Sequence, residues 1–97
     1  MAIGIAMQFK GVKIDRYDAV MKDMGLTGKQ SEWPDGIISH VAGPTADGIC
    51  VVDIWQSQAQ FDKFFQGRII PAIQRSGGMP DPQVIKFDVH NSYRHGG

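Results

Sequence analysis

A strand that passes directly into a helix through a tryptophan constrains this chain more than any other feature. Val51-Val52-Asp53-Ile54-Trp55 has the β-branched, apolar character of a buried strand, and Gln56-Ser57 follows at once. Ser57 and Gln60 have capping-box spacing: the hydroxyl can accept from a first-turn N–H while the amide reaches back. Phe61, Phe64 and Phe65 then recur on one side of a helix. Side chains alternate along a strand, so Ile49, Val51, Asp53 and Trp55 share one face and Cys50, Val52 and Ile54 the other. Both faces are apolar apart from Asp53, which predicts a strand covered on two sides.

The flanking segments predict what does the covering. Residues 2–10 form a β-compatible run with Ile3, Ile5, Met7 and Phe9 on one face and the small Gly4 and Ala6 on the other, so a second layer can approach closely there. Asp15 is placed to cap a helix to about Met24, with Ile14 stapling its entry; Tyr17, Val20, Met21 and Met24 form its apolar stripe and Gly25 its stop. Residues 26–36 are expected to be a loop carrying Trp33. A second strand is expected over 37–42, a turn region from Gly43-Pro44 to Asp47-Gly48, and the third strand over 49–55. The second helix starts near Gln58, and Pro71 should kink or break it by clashing with the Gly67 carbonyl. Ser76-Gly77-Gly78 ends it, and a fourth strand over 83–90 places Ile85, Phe87 and Val89 opposite Lys86, Asp88 and His90. If the former set faces the helices, His90 points away from them.

The order is β-α-β-β-α-β, an α+β, ferredoxin-like arrangement: one antiparallel four-stranded sheet with two helices on one face, spanning residues 1–97 as a single domain. Two helices cover one sheet face, so a second copy of the chain is the simplest cover for the other. At 97 residues the chain is small, and self-association helps complete its core. Lys plus Arg and Asp plus Glu balance at ten each with no basic block, which argues against a nucleic-acid partner. No apolar run has the length of a membrane span, and the apolar start reads as a strand rather than a signal peptide. The single cysteine, Cys50, excludes an intrachain disulfide and fits a reducing, cytoplasmic setting.

On the residues Val51-Val52-Asp53-Ile54-Trp55-Gln56-Ser57 with Phe61, and on the element order over nearly the whole chain, the sequence resembles the dimeric α+β barrel superfamily, particularly its antibiotic-biosynthesis-monooxygenase-like and stress-responsive small proteins. The resemblance implies two subunits packed sheet against sheet, with a ligand cleft between sheet and helices of each. Some such proteins oxidise polycyclic aromatic substrates without metal or flavin; others degrade haem, isomerise or cyclise small molecules, or have no established activity. Trp55 matches the cleft-facing tryptophan of the monooxygenase-like members. By parity Asp53 shares that face, where such members place an amide or another polar residue, a departure that weakens the carry-over of the same oxidation chemistry. Haem-degrading relatives use a histidine of the second helix, and residues 58–75 contain none, so no cofactor is expected.

Asp53 is the sharpest catalytic candidate, because a carboxylate on an apolar strand face must find a partner or become a stronger base. A pair with a basic side chain would make it merely structural. His40, on strand two, is the second candidate, since imidazole exchanges protons near neutral pH. Trp55, Tyr17 and Trp33 are the expected substrate-binding groups: an aromatic wall, a hydroxyl donor and a loop lid. Each has a plain alternative as core or anchor. His40, Asp53 and His90 contain the donors of a two-histidine, one-carboxylate metal set, but they lie on separate strands without a local ligand motif, so no metal is expected. His95 lies in the polar tail. The expectation is a homodimer binding a small hydrophobic or aromatic metabolite, as a cofactor-independent monooxygenase-like or proton-transfer enzyme or as a non-catalytic, stress-associated binding protein.

Overall fold

The computed structural model describes residues 1–93, with Gln30 described through its backbone only. Strand β1 spans Ile3–Lys10, helix α1 Ile14–Asp23, β2 Ile37–Thr45, β3 Gly48–Trp55, helices α2 Gln58–Phe64 and α3 Ile70–Arg75, and β4 Gln83–Asp88. The sheet order is β2-β3-β1-β4 with every neighbouring pair antiparallel. This is the expected ferredoxin-like α+β architecture. His95, in the tail, falls outside the described residues.

Side-chain alternation builds the core. Ile3, Ile5, Met7 and Phe9 of β1 and Ile49, Val51 and Trp55 of β3 are all buried beneath the helices, with Ile5, Ile49 and Trp55 essentially sealed from solvent. Val20 and Met24 of α1 and Phe61, Phe64 and Ala72 of the second helical stretch close over them. Ser57 caps α2 as expected, accepting from the Gln60 N–H at 3.2 Å, and its hydroxyl donates to Gln60 Oε1 at 2.9 Å. Helix α1 begins earlier than the expected cap: Ile14 is already helical, Lys13 is the unsupported N-cap, and Asp15 sits in the first turn, where a negative charge favours the helix dipole. Gly25, with φ of +76°, takes the left-handed position that ends this helix.

Pro71 does not end the second helix. Residues Phe65–Ile69 widen into a π-helical turn in which the Ile70 N–H reaches the Phe65 carbonyl, and Pro71 then falls in the first turn of α3, where proline is best tolerated. The helical backbone is re-registered rather than interrupted.

Two strand boundaries differ from expectation. Gly43-Pro44 belongs to β2 rather than to a turn, because β2 is an edge strand and tolerates proline. β4 stops at Asp88. Its facing also reverses the conditional expectation. In the ladders Phe87 pairs with Gly4 and Ile85 with Ala6, so both aromatic and aliphatic side chains lie on the face away from the helices. The reason is steric: the Phe87 ring lies directly over Gly4, where a Cβ would come within 2.2 Å of it. The small residues of β1 admit this strand's own aromatic ring, in addition to any outer layer.

Consequently an apolar row, Val41–Val52–Ala6–Ile85, crosses all four strands on the helix-free face, flanked by Ile54 and Phe87. Val41 and Ile85 are 64% and 67% exposed.

Candidate functional site

The opposite face carries a different row. Antiparallel pairing of the β2–β3 hairpin sets His40 directly across from Asp53, both facing the helices. Across this pair, His40 Nδ1 and Asp53 Oδ1 stand 2.6 Å apart. Asp53 is 3% exposed, a burial that a lone carboxylate would not tolerate. Its second oxygen accepts the Trp55 indole N–H at 3.1 Å. The strand period brings this about: residues two apart point the same way.

From α1, the Tyr17 hydroxyl reaches His40 Nε2 at 2.6 Å. Burial, then the charges of Asp53 and Asp18, push the Tyr17 hydroxyl up to about 12, so it holds its proton. For a neutral imidazole the two contacts fit one tautomer, with Nδ1–H donating to Asp53 and Nε2 accepting from the Tyr17 hydroxyl. The Trp33 ring leans on His40 with centroids 4.6 Å apart, and Tyr17 lies nearly parallel to the imidazole at 6.1 Å.

The structure thus brings Asp53, His40, Tyr17, Trp33 and Trp55 into one connected group. Their surroundings are apolar: Met21 of α1, Phe65 and Ile73 of the second helical stretch, and Phe9 and Val51 of the sheet line the same cleft as Tyr17, Trp33, His40 and Asp53. Its free volume is about 50 Å³. Wider grooves elsewhere, such as one of about 490 Å³ between Pro34 and Arg68, contain neither His40 nor Asp53.

Trp55 occupies a place other than the expected one. It does not line the cleft; its ring is enclosed against Phe61 and Phe64, at centroid distances of 5.8 and 5.6 Å, and only its N–H reaches the polar group, from beneath. Bulk decides this, since an indole at the end of a central strand is covered by the helix that follows it. His90 is exposed beyond the end of β4, and among the described residues no group of three His, Cys, Asp or Glu side chains is gathered to hold a metal ion. No described helix is long and apolar enough to cross a membrane.

One supporting residue escapes a reading of the sequence. Glu32 Oε1 accepts from the Thr27 and Lys29 N–H groups at 2.9 and 3.1 Å, and the Thr27 hydroxyl donates to the same carboxylate. These bonds hold the carboxyl below its usual range, the Thr27 N–H first among them. They staple the loop that presents Trp33, and the only sequence signal is a threonine and a glutamate in a glycine-containing loop.

Neither a family model nor a curated protein matches the sequence. Solved structures do match in shape. A provisionally assigned antibiotic biosynthesis monooxygenase from Chloroflexus aurantiacus superposes with a TM-score of 0.68 at 14% identity, covering 99% of this chain and 100% of that one. A dimeric ferredoxin-like protein of unknown function from Thermobifida fusca gives 0.64 at 14% identity over 92% of each chain. SnoaB, a cofactor-independent oxygenase from Streptomyces nogalater, gives 0.63 at 8% identity over 94% of each. The chain therefore has the ferredoxin-like fold seen in antibiotic-biosynthesis-monooxygenase-like proteins.

Proposed function

We propose that this protein is a homodimeric proton-transfer enzyme that takes a small hydrophobic or aromatic substrate in the sheet–helix cleft and needs no cofactor for the proton-transfer step. The observation that carries this reading is the 2.6 Å contact between His40 Nδ1 and a buried Asp53 in an apolar cleft. Asp53 holds the imidazole tautomer and stabilises the imidazolium that forms when a proton arrives, while the apolar walls bind a flat, neutral molecule and exclude water. Abstracting a proton from a phenol or an activated C–H leaves the electron pair on the ring. Dioxygen can then oxidise such an anion, and that is the monooxygenase-like form of the reaction. The likeness in fold to a cofactor-independent oxygenase supports this form.

Dimerisation is supported by the apolar row on the helix-free face, which a second copy would bury, and by the fold likeness to a dimeric ferredoxin-like protein. A single copy leaves Val41 and Ile85 more than half exposed. Sedimentation of the wild type should give twice the monomer mass, and Ile85→Glu should shift it toward the monomer; a monomeric wild type would remove this part of the proposal.

The activity is tested by oxygen uptake with polycyclic phenols under air, comparing wild type with Asp53→Asn. The expected loss in turnover is on the order of 10²–10⁴-fold. Full turnover by the variant would eliminate the Asp53–His40 role. A second reading, a non-catalytic binding dimer, is favoured by one feature: a free volume of about 50 Å³ is smaller than any aromatic ring system, so substrate entry requires Trp33 to move. Binding of the phenol without turnover in either protein would select that reading.

A further inference from the structure

The hydrogen bonds around His40 leave the imidazole no free polar edge. Nδ1 is engaged by Asp53, Nε2 by the Tyr17 hydroxyl, both at 2.6 Å, and the Trp33 ring leans on the imidazole. A base must come within hydrogen-bond reach of the proton it removes. For His40 to do so, the Tyr17 bond would first have to break in an apolar cleft, where a hydrogen bond between two polar groups is strongest and an unpaired one most costly. Tyr17 lines that cleft, half-buried, and its hydroxyl stands 2.6 Å from the imidazole Nε2, the position from which it donates to a neutral ring.

From this arrangement we infer that Tyr17 is the catalytic residue that exchanges a proton with the substrate, and that His40, backed by Asp53, receives the proton Tyr17 gives up. The inference rests on the proton-transfer reading of the site and reassigns Tyr17 from holding substrate to reacting with it. In the forward step the substrate C–H or O–H bond breaks and its proton bonds to the Tyr17 oxygen. The Tyr17 O–H bond breaks together with it and that proton bonds to His40 Nε2. The electron pair remains on the substrate, and the imidazolium stands against the Asp53 carboxylate. No oxidant or further reactant enters the step.

Concert is what makes a tyrosine usable here. With its hydroxyl pushed up to about 12, Tyr17 forms almost no free phenolate near neutral pH. A concerted transfer avoids that ion, because the charge that develops sits on His40 and Asp53 instead. The indole N–H of Trp55 occupies Asp53 Oδ2 and so reserves Oδ1 for the imidazole. The relay therefore runs from the cleft surface inward through Tyr17, His40 and Asp53, with Trp55 as the fixed end.

The test uses 5-nitrobenzisoxazole, a flat, neutral aromatic whose ring opens when one carbon-bound proton is removed and whose product is followed by absorbance. Wild type, Tyr17→Phe, His40→Asn and the double variant are compared, with circular dichroism to verify folding. Tyr17→Phe should lower kcat about 100-fold or more with KM nearly unchanged. The transferred substrate proton is carbon-bound and does not exchange with water, whereas the Tyr17 proton does. The relay therefore predicts a solvent deuterium isotope effect of about 2 or more on wild-type kcat, and direct abstraction by His40 predicts about 1. The isotope measurement needs only wild type and decides the question even if Tyr17→Phe fails to fold. A value near 1, or a folded Tyr17→Phe that keeps its kcat while His40→Asn loses it, overturns the Tyr17 role and leaves His40 as the base. Wild-type turnover no faster than that of the double variant sinks the proton-transfer reading and this inference together.

Discussion

The indole N–H of Trp55 ends on Oδ2 of Asp53, 3.1 Å away, while the other carboxylate oxygen faces His40. Each buried oxygen thus has its own donor, and none of the described buried side-chain polar atoms lacks a partner. Trp55→Phe keeps an aromatic ring against Phe61 and Phe64 but strips Oδ2 of its donor. The expected cost is about 1–3 kcal/mol in urea denaturation, the range for leaving a buried acceptor unpaired. Turnover should fall as well, because Asp53 gains freedom to rotate away from the imidazole. A variant as stable as wild type would show that Oδ2 has another donor.

Tyr17 links stability to alkaline pH. Its hydroxyl is raised from an ordinary value of 10.0 to about 12, so between these values the unfolded chain loses this proton while the folded chain keeps it. The Tyr17 contribution is complete below pH 10 and is lost as pH rises toward about 12. Tyr17→Phe should lack this alkaline component in denaturation midpoints. Tyrosinate absorbance, wild type minus Tyr17→Phe, should rise later than for a free phenol; a difference curve centred at the ordinary value would refute the burial of this hydroxyl beside Asp53.

Glu32 links the Trp33 loop to acidic pH with the opposite sign. Hydrogen bonds from Thr27 and Lys29 depress its carboxyl, so the staple is intact above the ordinary carboxylate range and is lost as pH falls through the lowered folded value. Trp33 should then become more accessible to acrylamide quenching, in a Trp55→Phe background that leaves it as the sole indole. Glu32→Gln should show that accessibility already at neutral pH. Equal quenching in both proteins at all pH values would mean that the loop is held by other contacts.

Gly4 and Phe87 are a matched pair. A methyl group at position 4 would enter the Phe87 ring, but that ring is half-exposed and can swing aside, so Gly4→Ala should cost on the order of 1 kcal/mol. The double variant Gly4→Ala/Phe87→Leu should recover part of that loss, because a smaller side chain makes room. Additive losses in the cycle would disprove direct interference.

How far the chain's residues disclose this molecule differs from element to element. Asp53 and Trp55 are legibly on one face because strand periodicity is two, and the Ser57 cap and Gly25 stop follow from local chemistry. The His40–Asp53 pair is not legible, because it depends on hairpin register. That register includes Gly43-Pro44 within β2 and an irregularity between Ile37 and Ser39, and a slip of one residue would turn His40 to the far face. Alternation in β4 separates Ile85 and Phe87 from Lys86 and Asp88 without saying which set meets the helices. Gly4, with no side chain to compete for the space, decides it from another strand. Tyr17 belongs to an apolar stripe by spacing, and only the packing of α1 over the sheet shows its hydroxyl reaching an imidazole.

The widened turn at Phe65–Ile69 acts as a phase shifter between the two halves of the second helix. An α-helix turns about 100° per residue, so tightening this turn to α geometry with its extra residue kept would rotate everything beyond it by that amount. Ile73 would swing out from the cleft wall, and Arg75 would lose its grip on Asp23 at the end of α1. The spare residue is thus absorbed so that one end of the far half lines the apolar cleft while the other ties the two helical arms together.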